Sequence, residues 1–229
     1  MTNTTKPDLI FDMDGTLFQT EKVAVPAFHR TFRRLKEAGF SVREAPDERA
    51  IQAVFGLTLH DIWERLLPGT EKNVRETADS WWLEEELKGL EQGMGELYPG
   101  VEATLHRLHR NGHRLFIASN GLGPYIRGIL QTFHLAPLFT AVYSAGEQGI
   151  GEKERLVEKL IKEHAVHHGV MIGDRSSDVR AGKMNNLWVV GCRYAGYPQF
   201  GRGDELDGAD FILSSFEDLE GWLKEAAWR

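Results

Sequence analysis

Two rhythms of apolar residues divide this chain. Leu9–Phe11 is a short unbroken apolar run, as expected of a strand buried on both faces. From Thr20 to about Gln92 the spacing turns helical. Residues 23–40 (VAVPAFHRTFRRLKEAGF) repeat apolar positions every three to four residues and stop at Gly39. Residues 45–56 (APDERAIQAVFG) and 57–69 (LTLHDIWERLLPG) predict two shorter helices bounded by glycine and proline, and residues 72–93 predict a longer one.

After the break at residues 97–100 (LYPG), short apolar runs and helical patterns alternate. Strands are predicted at 114–119, 139–145, 169–174, 187–193 and 209–214. Helices are predicted at Val101–Arg110, Gly123–Phe133, Glu152–Glu163, Asp178–Asn185 and 215–228. Repeated strand–helix units of this length imply a parallel sheet with right-handed crossovers and helices on both faces. The expected fold is α/β: a doubly wound, Rossmann-like parallel sheet with an all-helical cap inserted after its first strand. Residues 1–18 and 97–229 form the core, and 19–96 form the cap.

That layout places chemistry. Ligands of open parallel sheets bind beyond the carboxyl ends of the strands. Asp12, Asp14, Ser119 and Asp174 all fall at such ends, so residues distant in sequence should converge. Asp12 and Asp14 follow an apolar strand and precede Gly15 and Thr16. Two carboxylates so close repel, and burying them is costly unless a counter-charge is present. Either the pair is solvated in a turn or it holds a cation.

Composition narrows the field. The 229 residues are 41% hydrophobic and 27% charged, with a net charge of −7, which argues against a broad nucleic-acid or anionic-membrane surface. A small anionic substrate remains compatible, because a bound metal inverts the local field. The single cysteine, Cys192, excludes an internal disulfide and suits a reducing cytoplasm; it reads as a buried structural thiol. The N-terminal residues lack the basic and apolar regions of a secretion signal, and no apolar run is long enough to span a bilayer.

Four pieces stand in order: DMDGT at 12–16, ASNG at 118–121, Lys153 at a helix start, and GDRSSD at 173–178. Together they resemble the haloacid dehalogenase-like hydrolase superfamily, specifically its phosphatases with a helical cap after the first strand, of the phosphoglycolate phosphatase kind. The resemblance implies a Mg²⁺-dependent hydrolase of a small phosphomonoester working through an aspartyl-phosphate. It makes Asp12 the nucleophile and Asp14 the general acid/base, with the Asp14 main-chain carbonyl also on the metal. Thr16, Ser119, Asn120 and Lys153 would bind the phosphate, and Lys153 would also steady Asp12. Asp174 would complete an oxygen-only site with Asp12, suited to Mg²⁺, while Asp178 would reach the metal or steady Lys153. Gly56, Leu57 and Thr58 form a cap loop expected to sense the substrate. The expected partner is a small-molecule phosphate ester, with no nucleic acid and no membrane, for a monomer or homodimer.

The chain also departs from the family pattern. Gln19-Thr20 stands where an acid followed by serine or threonine is common, Glu154 rather than proline follows Lys153, and residues 164–169 (HAVHHG) lack the usual acid-proline before the next strand. Carbon–halogen and phosphonate cleavage are disfavoured, since those relatives replace the acid at position 14. A sugar phosphomutase keeps both acids and stays open as an alternative, as does a non-catalytic phospho-accepting or binding domain. His164, His167 and His168 read as solvated residues at a helix end. Adjacent tryptophans face differently on a helix, so of Trp81 and Trp82 at most one should point inward, more simply for packing than for stacking on a substrate.

Overall fold

The computed structural model describes residues 6–201 and 203–226. Its elements run β1 (Asp8–Phe11), α1 (Glu21–Glu37), α2 (Glu48–Gln52), α3 (Leu59–Leu66), α4 (Lys72–Glu91), α5 (Val101–Arg110), β2 (Leu115–Ser119) and α6 (Gly123–Thr132). After a 3-10 turn (Ala136–Leu138) come β3 (Phe139–Ser144), α7 (Ala145–Gln148), α8 (Lys153–His164), β4 (Gly169–Gly173), α9 (Ser176–Met184), β5 (Trp188–Cys192), β6 (Phe211–Leu213) and α10 (Asp218–Glu225).

The six strands form one sheet in the order β3-β2-β1-β4-β5-β6, every pairing parallel. Strand alternation sends successive side chains to opposite faces, and both faces are covered. Leu9, Phe11, Leu115, Ile117, Val170 and Ile172 pack under α5, α6 and α10. Ile10, Phe116, Ala118 and Met171 pack under α8 and α9. This is the doubly wound core expected from the pattern. The first strand lies inside the sheet, Leu9 pairing with Leu115 on one side and Val170 on the other. Strand order reverses at β1, so the crevice beyond β1, β2 and β4 is the switch point where such sheets bind ligands.

Helices α1–α4 form the inserted cap, with an aromatic core of its own. Phe28 stacks on Trp82 at 4.4 Å between ring centroids, and Trp63 meets both rings edge-on. Trp82 is the inward member of the tryptophan pair. Trp81 lies at the margin, with the Arg34 guanidinium 4.6 Å over its ring. A buried carboxylate, Glu85, ties α1 to α4 by accepting from Arg30 and Arg34 at 2.8 Å each. The cap joins the core through two adjacent segments. Phe18 bridges Leu97 in antiparallel fashion, and Gln19 donates its side-chain amide to the Leu97 carbonyl at 2.8 Å.

Several expected boundaries shift. The helix read over 45–56 forms only at Glu48–Gln52, where Asp47 caps it by accepting from the Ala50 N–H. Residues 145–148 are a helical turn rather than the end of a strand. The helix expected from Asp178 begins at Ser176. Only Phe211–Leu213 of the run 209–214 pairs as a strand. The last predicted helix, 215–228, is present as Asp218–Glu225, and its residues 227 and 228 lie outside the described residues. No helix among the described residues is long and apolar enough to cross a membrane. Cys192 is buried.

Candidate active site

The segment after β1 curls on a single carbonyl. The N–H groups of Leu17 and Phe18 both donate to the Met13 oxygen, at 2.9 and 3.1 Å, and the Gly15 N–H returns to the Phe18 carbonyl. Gly15 has φ +72°, and a Cβ there would sit 2.3 Å from Asp174 Oδ2. Glycine is therefore required both for the turn and for the approach of Asp174. The tight loop throws Asp12 and Asp14 to the same end of the sheet as Ser119, which closes β2, and Asp174, which follows β4.

Lys153, the first residue of α8, is 3% exposed and lies 2.6 Å from Asp12 Oδ1 and 2.5 Å from Asp178 Oδ1. Burial alone would lower its pKa. The Asp12 and Asp178 charges overcome that and hold the ammonium above its ordinary value. The other oxygen of Asp178 accepts from the Arg175 N–H at 3.0 Å at the start of α9. Asp178 thus caps a helix and pins a lysine at once.

Asp12, Asp174 and Asp178 each bring a carboxylate oxygen within 4.8 Å of the others. Burial, then the Asp12 and Asp178 charges, push the Asp174 carboxyl well above the usual range. Three acids face one ammonium, leaving an excess of negative charge on hard oxygen donors. These residues fit a small divalent cation of the Mg²⁺ type.

Asp14 is held differently. Its Oδ1 accepts from the Thr20 hydroxyl at 2.7 Å and the Tyr125 hydroxyl at 3.0 Å, while Oδ2 lies toward Gly121. Burial, then the like charge of Asp12, raise this carboxyl to about 6, although the two hydroxyls and Lys153 act the other way. A carboxyl with that value can both give and take a proton near neutral pH.

Asp12, Asp14 and Lys153 open on a cavity of about 40 Å³, room for roughly three waters at 10–15 Å³ each, whereas Asp174 and Asp178 lie behind them and do not line it. Its core wall includes Asp12, Asp14, Ser119, Asn120 and Lys153, and its roof is the cap, through Phe55–Leu57, Leu59, Ile62, Trp82 and Glu86. Not every expected group faces it. Thr16 is fully buried away from the cavity. Its hydroxyl makes a long 3.4 Å contact to Asp174 Oδ1, and its carbonyl accepts from the Tyr194 hydroxyl. The Ser119 hydroxyl accepts from the Gly121 N–H. Asn120 spends its amide on the Gly56 carbonyl at 3.0 Å, clasping the cap loop. Of that loop, Gly56 and Leu57 line the cavity, whereas Thr58 caps α3, pairing with Asp61. The three histidines do not line it.

Sequence reasoning passed over Tyr125, Arg175 and Glu86. A tyrosine in the first turn of the helix after the Ser119 motif was the available signal for Tyr125. Arg175 donates to the Phe55 carbonyl and to Glu205, so it joins core to cap, but nothing in GDRSSD distinguishes it from a solvated arginine. Thr20, noted as part of a departure, supplies a hydroxyl to Asp14.

The model of the haloacid dehalogenase-like hydrolases matches residues 9–192. A 5'-nucleotidase of Pseudomonas aeruginosa is 26% identical over 203 residues, spanning 87% of this chain and 86% of that protein. A phosphoglycolate phosphatase of Colwellia psychrerythraea is 27% identical over 231 residues, spanning 93% and 95%. Among solved structures, CbbY from Rhodobacter sphaeroides in complex with phosphate superposes with a TM-score of 0.75 at 22% identity, over 94% of this chain and 96% of that one, a likeness of fold. The acids at the strand ends, the inserted cap and the match over most of the chain lead to one conclusion: this protein belongs to the haloacid dehalogenase-like hydrolase family.

Proposed function

We propose that this protein hydrolyses a small phosphomonoester through an aspartyl-phosphate on Asp12, with Mg²⁺ as cofactor. It is a phosphoric monoester hydrolase, the class to which the 5'-nucleotidase and phosphoglycolate phosphatase relatives belong by name. The observation that carries the finer reading is the arrangement of Asp12, Asp14 and Lys153 around one cavity, beside the cluster of Asp12, Asp174 and Asp178.

In the first step Asp12 forms a bond to phosphorus as the ester P–O bond breaks. Asp14 gives its proton to the departing alkoxide oxygen. In the second, Asp14 takes a proton from water, the oxygen bonds to phosphorus, and the Asp12 carboxylate leaves, releasing inorganic phosphate. Thr20 and Tyr125 fix the Asp14 oxygen they bind, which leaves the other to carry the proton. Lys153 offsets charge on Asp12 and on the transferring group. Asp12 and Asp174 would hold the metal, with Asp178 and the Asp14 main chain as further candidates. When bound, the metal would neutralise the phosphoryl oxygens and the crowded acids. Ser119 and Asn120 are candidate phosphate contacts, and Gly56 and Leu57 candidate substrate contacts.

The cap division at 19–96 is supported by the Phe18–Leu97 bridge, which sets its two connections side by side. Closing the cap would exclude water from the reacting groups. A cytoplasmic location completes the reading. The test is a panel of phosphate esters assayed with Mg²⁺ and with EDTA. Phosphate release that needs Mg²⁺ and vanishes in Asp12→Asn is the expected result. Undiminished turnover in metal-free protein would overturn the mechanism.

A further inference from the structure

The roof of the cavity contains a carboxylate with nothing to hold it. Glu86 lies on α4, is 3% exposed and lines the cavity opposite the catalytic acids. Among the described residues no hydrogen bond or ion pair reaches its side chain. Its neighbour Glu85, as deeply buried, has three cationic partners in Arg30, Arg34 and Lys88. The cap therefore satisfies one buried glutamate and leaves the next one open. Buried acids without partners are costly, and such a cost is expected where a ligand meets it.

Two further groups share the defect. Trp82 Nε1 and Asn120 Oδ1 are buried without a hydrogen-bond partner, and both residues line the same cavity. Trp82 and Glu86 are four residues apart on α4, hence on one face of it. The roof thus offers an acceptor, Glu86, on the same helix face as a donor, the indole N–H, with a second acceptor on the core side. A hydroxyl group satisfies such a pair: it donates to Glu86 and accepts from Trp82. An ammonium cannot accept, and a carboxylate cannot donate.

The cavity's cations are already engaged. Lys153 is paired with Asp12 and Asp178, and Arg175 is paired with Glu205 and the Phe55 carbonyl. Burial, then the charges of Asp14 and Asp79, push the Glu86 carboxyl well above the usual range, and a second anionic group on a substrate would find no free cation among these lining residues. Resting on the phosphatase reading above, we propose that Glu86 and Trp82 select phosphomonoesters with a small hydroxylated leaving group, polyol phosphates, over leaving groups that cannot both donate and accept there.

The test compares kcat/KM for glycerol 1-phosphate, propyl phosphate, O-phosphoethanolamine and 2-phosphoglycolate, in wild type, Glu86→Leu and Trp82→Phe, with melting temperatures as a folding check. Wild type should favour glycerol 1-phosphate over 2-phosphoglycolate by about tenfold or more, the scale of one unmet buried polar contact. Glu86→Leu keeps the volume and removes the acceptor, so it should narrow that ratio by lowering turnover of glycerol 1-phosphate. Trp82→Phe keeps the ring and loses the N–H, so it should lower the preference for glycerol 1-phosphate over propyl phosphate several-fold. A wild-type preference for 2-phosphoglycolate or O-phosphoethanolamine, or ratios unchanged in both variants, would overturn the assignment while leaving the phosphatase reading intact. Absence of Mg²⁺-dependent hydrolysis of all four esters and of p-nitrophenyl phosphate would overturn both.

Discussion

Replacing Asp14 by asparagine should make the metal-free protein more stable while disabling it. The structure supplies the size of the effect. Raising a carboxyl from its ordinary 3.8 to about 6 corresponds to about 3 kcal/mol of lost stability at pH 7.5, at about 1.4 kcal/mol per tenfold. Asp14 is only half-buried, so cavity water makes that an upper bound. Asparagine keeps the shape, and its Oδ1 can still accept from Thr20 and Tyr125. The charge assistance of those bonds is already contained in the net shift, so the gain is at most about 3 kcal/mol, or roughly 6–12 °C in Tm for a chain of this size. The pH dependence follows from the sign of the shift. With the folded value above the unfolded one, ionised Asp14 costs stability above pH 6. That cost shrinks as pH falls from 6 to 3.8 and disappears below. The advantage of Asp14→Asn should therefore drop to roughly half at pH 5 and to well under 1 kcal/mol at pH 4. Thermal melts in EDTA at pH 7.5, 5 and 4, on wild type and variant, decide it. A variant less stable than wild type at pH 7.5, or an advantage undiminished at pH 4, would refute the reasoning. The same variant should lose turnover most with poor alkoxide leaving groups and least with an activated aryl phosphate.

Three other outcomes are expected. Phe200, almost fully buried against Phe55 at 5.1 Å between centroids, should cost about 3–5 kcal/mol as Phe200→Ala by chemical denaturation, and the loosened cap should raise KM more than it lowers kcat. Gly56 has φ +77°, and a Cβ there would stand 3.4 Å from Arg175, so Gly56→Ala should cost about 1–2 kcal/mol and shift relative kcat/KM among substrates; an equal fall for every substrate would make the loop merely structural. Asp174→Asn should abolish both Mg²⁺-dependent turnover and the rise in Tm on adding Mg²⁺, read by parallel melts with Mg²⁺ and EDTA.

The core was legible because its signals are local and repeated. Every strand but β5, which ends at Cys192, is an apolar run ended by a glycine, a serine or an aspartate, and parallel pairing then follows from the intervening helices. The order of DMDGT, ASNG, Lys153 and GDRSSD carried the acids to the same end of the sheet. What escaped was set by tertiary contact. Thr16 looks like a phosphate ligand in DMDGT, yet the curl of the loop on Met13 turns it toward Asp174 and Tyr194. Asn120 is a candidate phosphate contact in ASNG, and its hold on the cap loop through the Gly56 carbonyl is not written in that motif. Glu86 sits in the run EEEL with two other acids, and only packing distinguishes it from Glu84, which reaches the surface. Arg175 and Phe200 act across the cap–core boundary, which no helical or strand period records.

The position of β1 bears on how the chain is made. The first strand synthesised is an inner one, and its partners Leu115 and Val170 emerge long after it. On the ribosome it must wait, apolar and unpaired, for the rest of the sheet. The cap helices meanwhile contact one another locally, as α1 does α4, and have no such wait. Phe200, which closes the cap's own aromatic cluster, comes later still. Vectorial folding should therefore run cap helices first, strands β1–β5 second, and cap–core closure and the edge strand β6 last, and a nascent chain halted before Phe200 should hold a five-stranded sheet beneath a cap whose Phe55 is still uncovered.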